Sequence, residues 1–441
     1  MYTIYSVAIV LFFAILSPYF LYQAVRYRKY IRNLPQRLGY LPLSFNFDGD
    51  ESIWIHAVSV GEVLTARALL PQLRERYPRL RIFLSTTTIT GNQVARTNVH
   101  DVDGVFYFPL DLPPIVRRTM RVVKPRLFVM METELWPNLL RACRSAGVKT
   151  ALVNGRISLR SFPRYRLARG FFRRVLADVD RFCMQSEESA RRIVEIGADR
   201  DRVSVTGSLK FDSLEIPGAV ADRGRNRVLR YFRVSPDRPV VIAASTLKGE
   251  EETVLEAFQR IRAIWGNALL ILAPRKPERF EEVERLAKQR GWRVARRTEL
   301  AVDSEPRVDV VVLDTIGELA QVYQVATVVF VGGSLVDAGG HNILEPAVFG
   351  KPIVFGPHMH NFAEIARTFI ENRGAIQVQA DAELENVLVE LLSDPVKRAG
   401  LGAAARALVE ANRGARARTL AVITQLLPSD APGTVLPFRA L

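Results

Sequence analysis

Three acidic residues and a lysine stand where apolar runs of the chain end. Glu62 follows Gly61 in IHAVSVGE, at the join between an apolar run and a helical pattern. Glu132 and Glu134 follow Leu127–Met131 in VMMETELWPN, and Lys210 lies in VTGSLKFD, just beyond another short apolar run. A carboxylate at the end of a buried strand is costly unless it has a partner or a function. Held in place, it can take a proton from a reacting hydroxyl. Plainer readings exist for each: a helix cap at Glu62, a helix start or salt bridge at Glu132 and Glu134, and a solvated surface lysine at Lys210.

The second half of the chain places different chemistry at its strand ends. AASTLKGEEE offers the hydroxyls of Ser245 and Thr246 before Gly249 and an acidic helix start. LAPRKPERF puts Arg275, Lys276 and Arg279 after a strand, with Pro274 and Pro277 fixing the turn. FVGGSLVDAGGHNILEPA is the densest signal, with Gly332, Gly333, Gly339 and Gly340 ahead of a helix that begins near Asn342. Glycines let backbone N–H groups approach a phosphate, and Glu345, one turn on, can accept from ribose hydroxyls. His341 reads as a loop donor near a ligand and His56 as a hydrogen-bonded strand residue. His358 and His360 have no third ligand at a metal-site spacing, so no metal is expected. There is no GKS or GKT phosphate loop and no GxGxxG fingerprint, which argues against ATPase and dehydrogenase chemistry.

These residues must be positioned by a regular scaffold. SIWIHAV, RIFLST, GVFYFPL, RLFVMME, KTALVN, DRFCMQ and VSVTG read as strands separated by helical patterns. After a break, PVVIAAS, ALLILAP, WRVAR, VDVVVLD, ATVVFVGG, KPIVFG and AIQVQ repeat the beat. Fully apolar strands alternating with helices predict parallel sheets covered on both faces. The fold class is therefore α/β, with two doubly wound units over residues 51–211 and 236–427, the second including the C-terminal helices. A linker is expected over 212–235 and a tail over 428–441. Two such units facing across a cleft would bind ligands outside the carboxyl ends of their strands.

The N-terminus predicts a membrane helix over residues 1–25, because Tyr2–Val25 is almost wholly apolar and long enough to cross ~30 Å of hydrocarbon. A basic juxtamembrane segment follows over 26–50, opening with Arg26, Arg28, Lys29 and Arg32, which places the remaining chain in the cytoplasm. The 441 residues carry a formal net charge of +15, which suits nucleic acid, an anionic membrane or an acidic substrate. No recognisable nucleic-acid module accompanies that charge. Two cysteines exclude a disulfide framework.

Taken together and in this order, HAVSVGE, METELWPN, VTGSLKFD, PRKPERF, DTIGEL and GGSLVDAGGHNILEPA resemble the bacterial 3-deoxy-D-manno-octulosonic acid (Kdo) transferase family, over essentially residues 1–425. The resemblance implies the GT-B fold, with two Rossmann-like domains. It implies transfer of Kdo from the donor CMP-Kdo to lipid IVA, the lipid A precursor, at the cytoplasmic face of the inner membrane and its anionic lipids, with no cofactor and no metal. It matches Glu62 to the general base, and Glu132 and Lys210 to residues that assist the transition state. CMP contacts would fall on Pro274 and Arg275, on Ile316, Gly317 and Glu318, and on Asn342, Ile343, Leu344 and Glu345. Ser245, Thr246, Gly332, Gly333, Gly340 and His341 are further loop contacts. Leu247 and Lys276 depart from the family pattern, which often has His at both. For Glu62 the expectation is geometric: its carboxylate should face Glu132 and Lys210 and not fold back over its own helix. The helix N-terminus should favour the ionised form and limit its basicity. A different GT-B enzyme using a nucleoside-diphosphate sugar is the alternative.

Overall fold

The computed structural model describes residues 2–27, 33–159, 161–212 and 228–428, with side chains apart from those of residues 18–27 and 43. Most of the expected linker and tail, and Arg28, Lys29 and Arg32 of the basic segment, lie outside the described residues.

The chain divides into two compact units, Met1–Ser213 with Arg413–Leu441, and Leu214–Asn412. In the first, the strands are β1 (Ser52–His56), β2 (Arg81–Thr86), β3 (Gly104–Tyr107), β4 (Pro125–Met131), β5 (Lys149–Gly155), β6 (Arg181–Met184) and β7 (Val203–Val205), in spatial order 3-2-1-4-5-6-7. The second contains β8 (Val240–Thr246), β9 (Leu269–Pro274), β10 (Val294–Arg296), β11 (Val310–Val312), β12 (Val328–Val331), β13 (Ile353–Phe355) and β14 (Ile376–Gln377), in order 10-11-9-8-12-13-14. Every neighbouring pair is parallel. The apolar runs read from the sequence are these strands.

The strands are apolar throughout because each sheet has a core on both faces. In the first unit one face gathers Ile53, Ile55, Leu84, Val129 and Val153, and the other Trp54, Phe83, Phe128, Met130 and Phe182. Consecutive side chains of β1 and β4 thus enter opposite cores. Each fully buried large side chain contributes about 1.5–3 kcal/mol relative to exposure. Polar groups that must meet a ligand are left to the carboxyl edge.

Two expectations differ from the structure. The last helix, Ala415–Leu426, is expected in the second unit but belongs to the first. Its Ala415 and Ile423, with Leu427 just beyond, join the core beneath β1 and β4, and Tyr77 Oη donates to the Leu427 carbonyl. The expected N-terminal helix is present as Tyr2–Tyr27, but the membrane span is not: among the described residues no helix is long and apolar enough to cross a membrane. Its first turn packs on the first unit, where Tyr2 Oη donates to Asp178 Oδ2 at 2.7 Å.

In the second unit, helix Pro395–Ala411 packs against the short helix Leu344–Val348 that follows the glycine-rich loop. The approach depends on Gly402, where an added Cβ would overlap the Gly350 carbonyl oxygen; Gly400, two residues earlier, faces open space. Alanine normally favours a helix over glycine by about 0.5–1 kcal/mol. Gly400→Ala should therefore raise the thermal midpoint and Gly402→Ala lower it, as thermal unfolding of the two variants would measure.

Candidate active site

At the carboxyl edge of the first unit, β1 leads into helix Val60–Arg67, capped by Ser59. Ser59 Oγ accepts from the Glu62 N–H at 3.5 Å and donates to Glu62 Oε1 at 2.9 Å, while the Val58 N–H donates to Oε2 at 2.8 Å. The sequence Ser-Val-Gly-Glu is thus a variant capping box, the glutamate reaching one residue further back than usual. Glu62 folds back over the start of its own helix, against the geometric expectation, and is 8% exposed. Burial raises its proton affinity above the usual carboxylate range; the Val58 N–H opposes the rise and the Glu132 carboxylate adds to it. Desolvation outweighs the helix N-terminus, so Glu62 is a stronger base than capping alone would leave it.

Glu132 follows β4 with φ of 54°. A non-glycine residue in this left-handed region is held there by its surroundings, at a cost on the order of 1–3 kcal/mol. Its N–H extends the β4–β5 ladder to the Val153 carbonyl, at 2.9 Å, and the turn directs the carboxylate along the edge. Lys210 Nζ lies 3.9 Å from Glu132 Oε1. Although Lys210 follows the edge strand β7, its loop runs back across the sheet. Buried Asn154, at the end of β5 with φ of 57°, accepts the Leu209 N–H on its Oδ1 at 3.0 Å. The C-terminal helix holds the same loop: Gly414 and Arg416 N–H groups donate to Asp212, and Arg418 Nε donates to the Thr206 carbonyl at 2.9 Å.

Glu134 completes the group, its carboxyl pushed up to about 7 by burial and then by the charges of Glu62 and Glu132. His56 lies buried at the end of β1, stacked on Phe108 at 3.8 Å, with Nδ1 3.0 Å from Ser85 Oγ. Burial pushes it down to about 3, so it is a neutral strand residue, as its position suggests.

In the second unit the expected contacts fall at the carboxyl ends of four adjacent strands, β11, β9, β8 and β12. Arg275 is exposed beyond β9, with its N–H on the Thr246 carbonyl at 3.0 Å. It is close enough to act electrostatically on both His341 and Glu345. Burial raises the Glu345 carboxyl, Asn342 Nδ2 donating to its Oε1 at 3.1 Å. Burial, then Arg275, pushes His341 down to about 4, and its buried Nε2 has no hydrogen-bond partner among the described residues. Arg275, His341, Asn342 and Glu345 therefore converge. Ile343 and Leu344 are buried core residues, so their side chains are unavailable to a ligand. Ile316 and Gly317 are exposed beyond β11, while the Glu318 carboxylate is held by Arg297 at 2.8 Å and by Thr315 Oγ1 at 2.7 Å. Ser245 has φ of 55°, and buried Thr246 lies against Gly332, which has no room for a Cβ. Leu247 N–H is tied to Glu250, and Lys276 is exposed. His358 and His360 both approach Asp337, at 3.6 and 3.5 Å.

Glu250, absent from the sequence candidates, holds this edge together. Fully buried, it accepts N–H groups from Leu247 and Gly333 on Oε2, at 2.9 and 2.7 Å, and from Ser334 and Leu335 on Oε1, at 2.9 and 3.0 Å. One carboxylate thereby joins the turn after β8 to the glycine loop after β12. The run of three acids after Gly249 conceals it, since an acidic first turn is ordinary at any helix N-terminus. Its neighbour Glu251 is buried with Arg279 at 2.6 Å, which removes Arg279 from the exposed cations.

The two parallel-sheet α/β units resemble those of GT-B glycosyltransferases in fold. The fold matches Anabaena HepE solved in complex with UDP (TM-score 0.54, 15% identity, 85% of this chain and 99% of that one). It also matches a glycosyltransferase from Rickettsia africae (TM-score 0.55, 11% identity, 86% and 99%). Residues 32–213 match the family model described as 3-deoxy-D-manno-octulosonic-acid transferase (kdotransferase). The chain is 35% identical to the 3-deoxy-D-manno-octulosonic acid transferase of Haemophilus influenzae, over 92% of this chain and 93% of that one. Against the Bordetella pertussis transferase it is 36% identical, over 83% and 86%. The chain belongs to the 3-deoxy-D-manno-octulosonic acid transferase family, and it is a glycosyltransferase.

The raised Glu134 carboxyl has a consequence for stability. With a folded value of about 7 against an ordinary 4.5, it binds more protons folded than unfolded between those limits. Stability should therefore fall as pH rises from about 4.5 to 7. Glu134→Gln should flatten this part of the profile, as thermal midpoints measured across the range would show.

Proposed function

We propose that the protein transfers Kdo from CMP-Kdo to lipid IVA in lipopolysaccharide biosynthesis, at the cytoplasmic face of the inner membrane, with Glu62 as general base. The observation that carries the catalytic part is the Glu62–Glu132–Glu134–Lys210 group at one strand edge, with the Glu62 proton affinity raised by burial.

The acceptor hydroxyl oxygen bonds to the anomeric carbon of Kdo as the bond from that carbon to the CMP phosphate oxygen breaks. The electron pair leaves on the phosphate, and the hydroxyl proton passes to Glu62. Developing positive charge on the sugar is met by the carboxylates of Glu132 and Glu134. Lys210, close to Glu132, limits the repulsion among three acids and supplies a cation for the acidic sugar. Glu62 must turn from Val58 and Ser59 to reach the acceptor, a rotation of its own side chain.

In the second unit Arg275 faces the leaving phosphate, the Gly333, Ser334 and Leu335 N–H groups being held by Glu250, and Glu345 and Asn342 supply acceptors for ribose hydroxyls. CMP carries modest charge, so these groups stabilise its departure without a metal. The charge of +15 suits a phosphorylated lipid acceptor and an anionic membrane.

The test is the purified full chain with CMP-Kdo and lipid IVA, products read by mass. Addition of Kdo to lipid IVA is expected. Turnover with a UDP-sugar and none with CMP-Kdo would replace this reading by that of a nucleoside-diphosphate-sugar enzyme.

A further inference from the structure

The N-terminal helix Tyr2–Tyr27 is attached to the first unit from its first turn. Besides the Tyr2–Asp178 hydrogen bond, Arg141 lies over the Tyr2 ring at 4.5 Å, and Asn138 Nδ2 donates to Ser6 Oγ at 3.0 Å. Tyr5 meets Phe171 at 5.9 Å between ring centres. Tyr2, Tyr5, Ser6, Ile9, Phe13 and Leu16 are partly buried, a spacing that defines one helix face. The opposite face leaves Ile4, Val7, Leu11 and Ile15 between 52 and 75% exposed. A contiguous apolar surface of this kind on a folded protein marks a membrane or partner contact. A helix crossing ~30 Å of hydrocarbon would carry its first turn to the far side of the bilayer. This first turn is bonded to Asp178 and Asn138, which belong to the same folded unit as the catalytic group.

Beside that turn a cavity of about 990 Å³ is lined by Tyr2, Ser6, Arg117, Arg121, Lys124 and Arg141, with Met120 and Val148 among its apolar residues. Its residues Glu51, Pro125 and Val148 lie at the amino ends of β1, β4 and β5, so it is on the opposite edge of the sheet from the catalytic group. Arg117 and Arg121, four apart on helix Pro113–Val123, have no carboxylate partner among the described residues. Glu51 is the one carboxylate of the lining, and it pairs with Arg126 at 3.4 Å. Unpaired cations over an apolar lining, next to an exposed apolar helix face, complement a molecule that is anionic at one end and apolar at the other.

We propose that this cavity holds the phosphodiester of an anionic glycerophospholipid, while the exposed face of the N-terminal helix lies in the acyl region of the same leaflet, so that the helix docks along the membrane and not across it. The inference rests on the membrane placement proposed above, and its tests read neither donor nor acceptor.

Two measurements on the full chain test it. In the first, Thr3→Cys is probed with a membrane-impermeant maleimide; the native Cys143 and Cys183 are buried and do not compete. Labelling is expected in inverted membrane vesicles, slower than in detergent because Thr3 lines the cavity that the lipid fills, and absent in intact spheroplasts. Labelling from outside intact spheroplasts would overturn the proposal in favour of a spanning helix. In the second, co-sedimentation is compared on vesicles of phosphatidylcholine alone and of phosphatidylcholine with phosphatidylglycerol. Arg117→Gln with Arg121→Gln should weaken binding to the anionic vesicles about 30-fold, as for two cations at an anionic surface. Binding to neutral vesicles should be unchanged, and Arg117→Lys with Arg121→Lys should keep most of the affinity. Undiminished binding of the glutamine variant to the anionic vesicles, or equal loss on both kinds, would overturn the assignment. Neither measurement reads sugar transfer, so failure of the Kdo reaction would leave both results standing.

Discussion

A sheet of parallel strands buried on both faces has one place for chemistry, the edge where the strands end. Along β1 and β4 successive side chains enter opposite apolar cores, and no polar group can be aimed at a ligand from within them. Because the strands run the same way, the loops after β1, β4 and β7 open on a single edge, and those after β11, β9, β8 and β12 on another. Sequence positions as distant as 62 and 132 are brought to neighbouring strand ends by that direction and by the pairing of β1 with β4. The loop of Lys210 adds a second device: Asn154 and the C-terminal helix draw it back over the sheet until the lysine reaches Glu132.

Two buried glutamates at helix starts differ in how their surroundings hold the carboxylate. Glu250 accepts four backbone N–H groups and fastens two loops. Every lone pair it needs is engaged, and it serves as a fixed joint beneath the glycine loop. Glu62 is held by the Val58 N–H and by the hydroxyl and backbone of Ser59, weaker restraint beside two other carboxylates. The first arrangement immobilises the side chain, while burial raises the proton affinity of the second. Capping and catalysis are compatible in Glu62 because its capping bonds are few and local.

The strands were legible because a doubly covered parallel strand is a continuous apolar run bounded by polar turns. The carboxylates were legible because acidic residues stood out directly after such runs. What escaped the sequence is conformational or long-range. Nothing in METELW announces a positive φ at Glu132, since the left-handed turn is imposed by the fold. Glu250 was hidden among adjacent acids whose spacing cannot say which one is buried. Helix Ala415–Leu426 carries an apolar face that requires burial without specifying the unit it joins, and the N-terminal run shows apolarity without its Tyr2 and Ser6 attachments.

In the proposed mechanism one strand edge supplies the base while another holds the nucleotide. Measuring CMP binding and Kdo transfer on the same preparation of Glu62→Gln tests it most directly. CMP binding should equal that of the parent protein, with transfer lowered by about 10²–10⁴-fold. Near-parental transfer would contradict it and leave Glu62 as a helix cap.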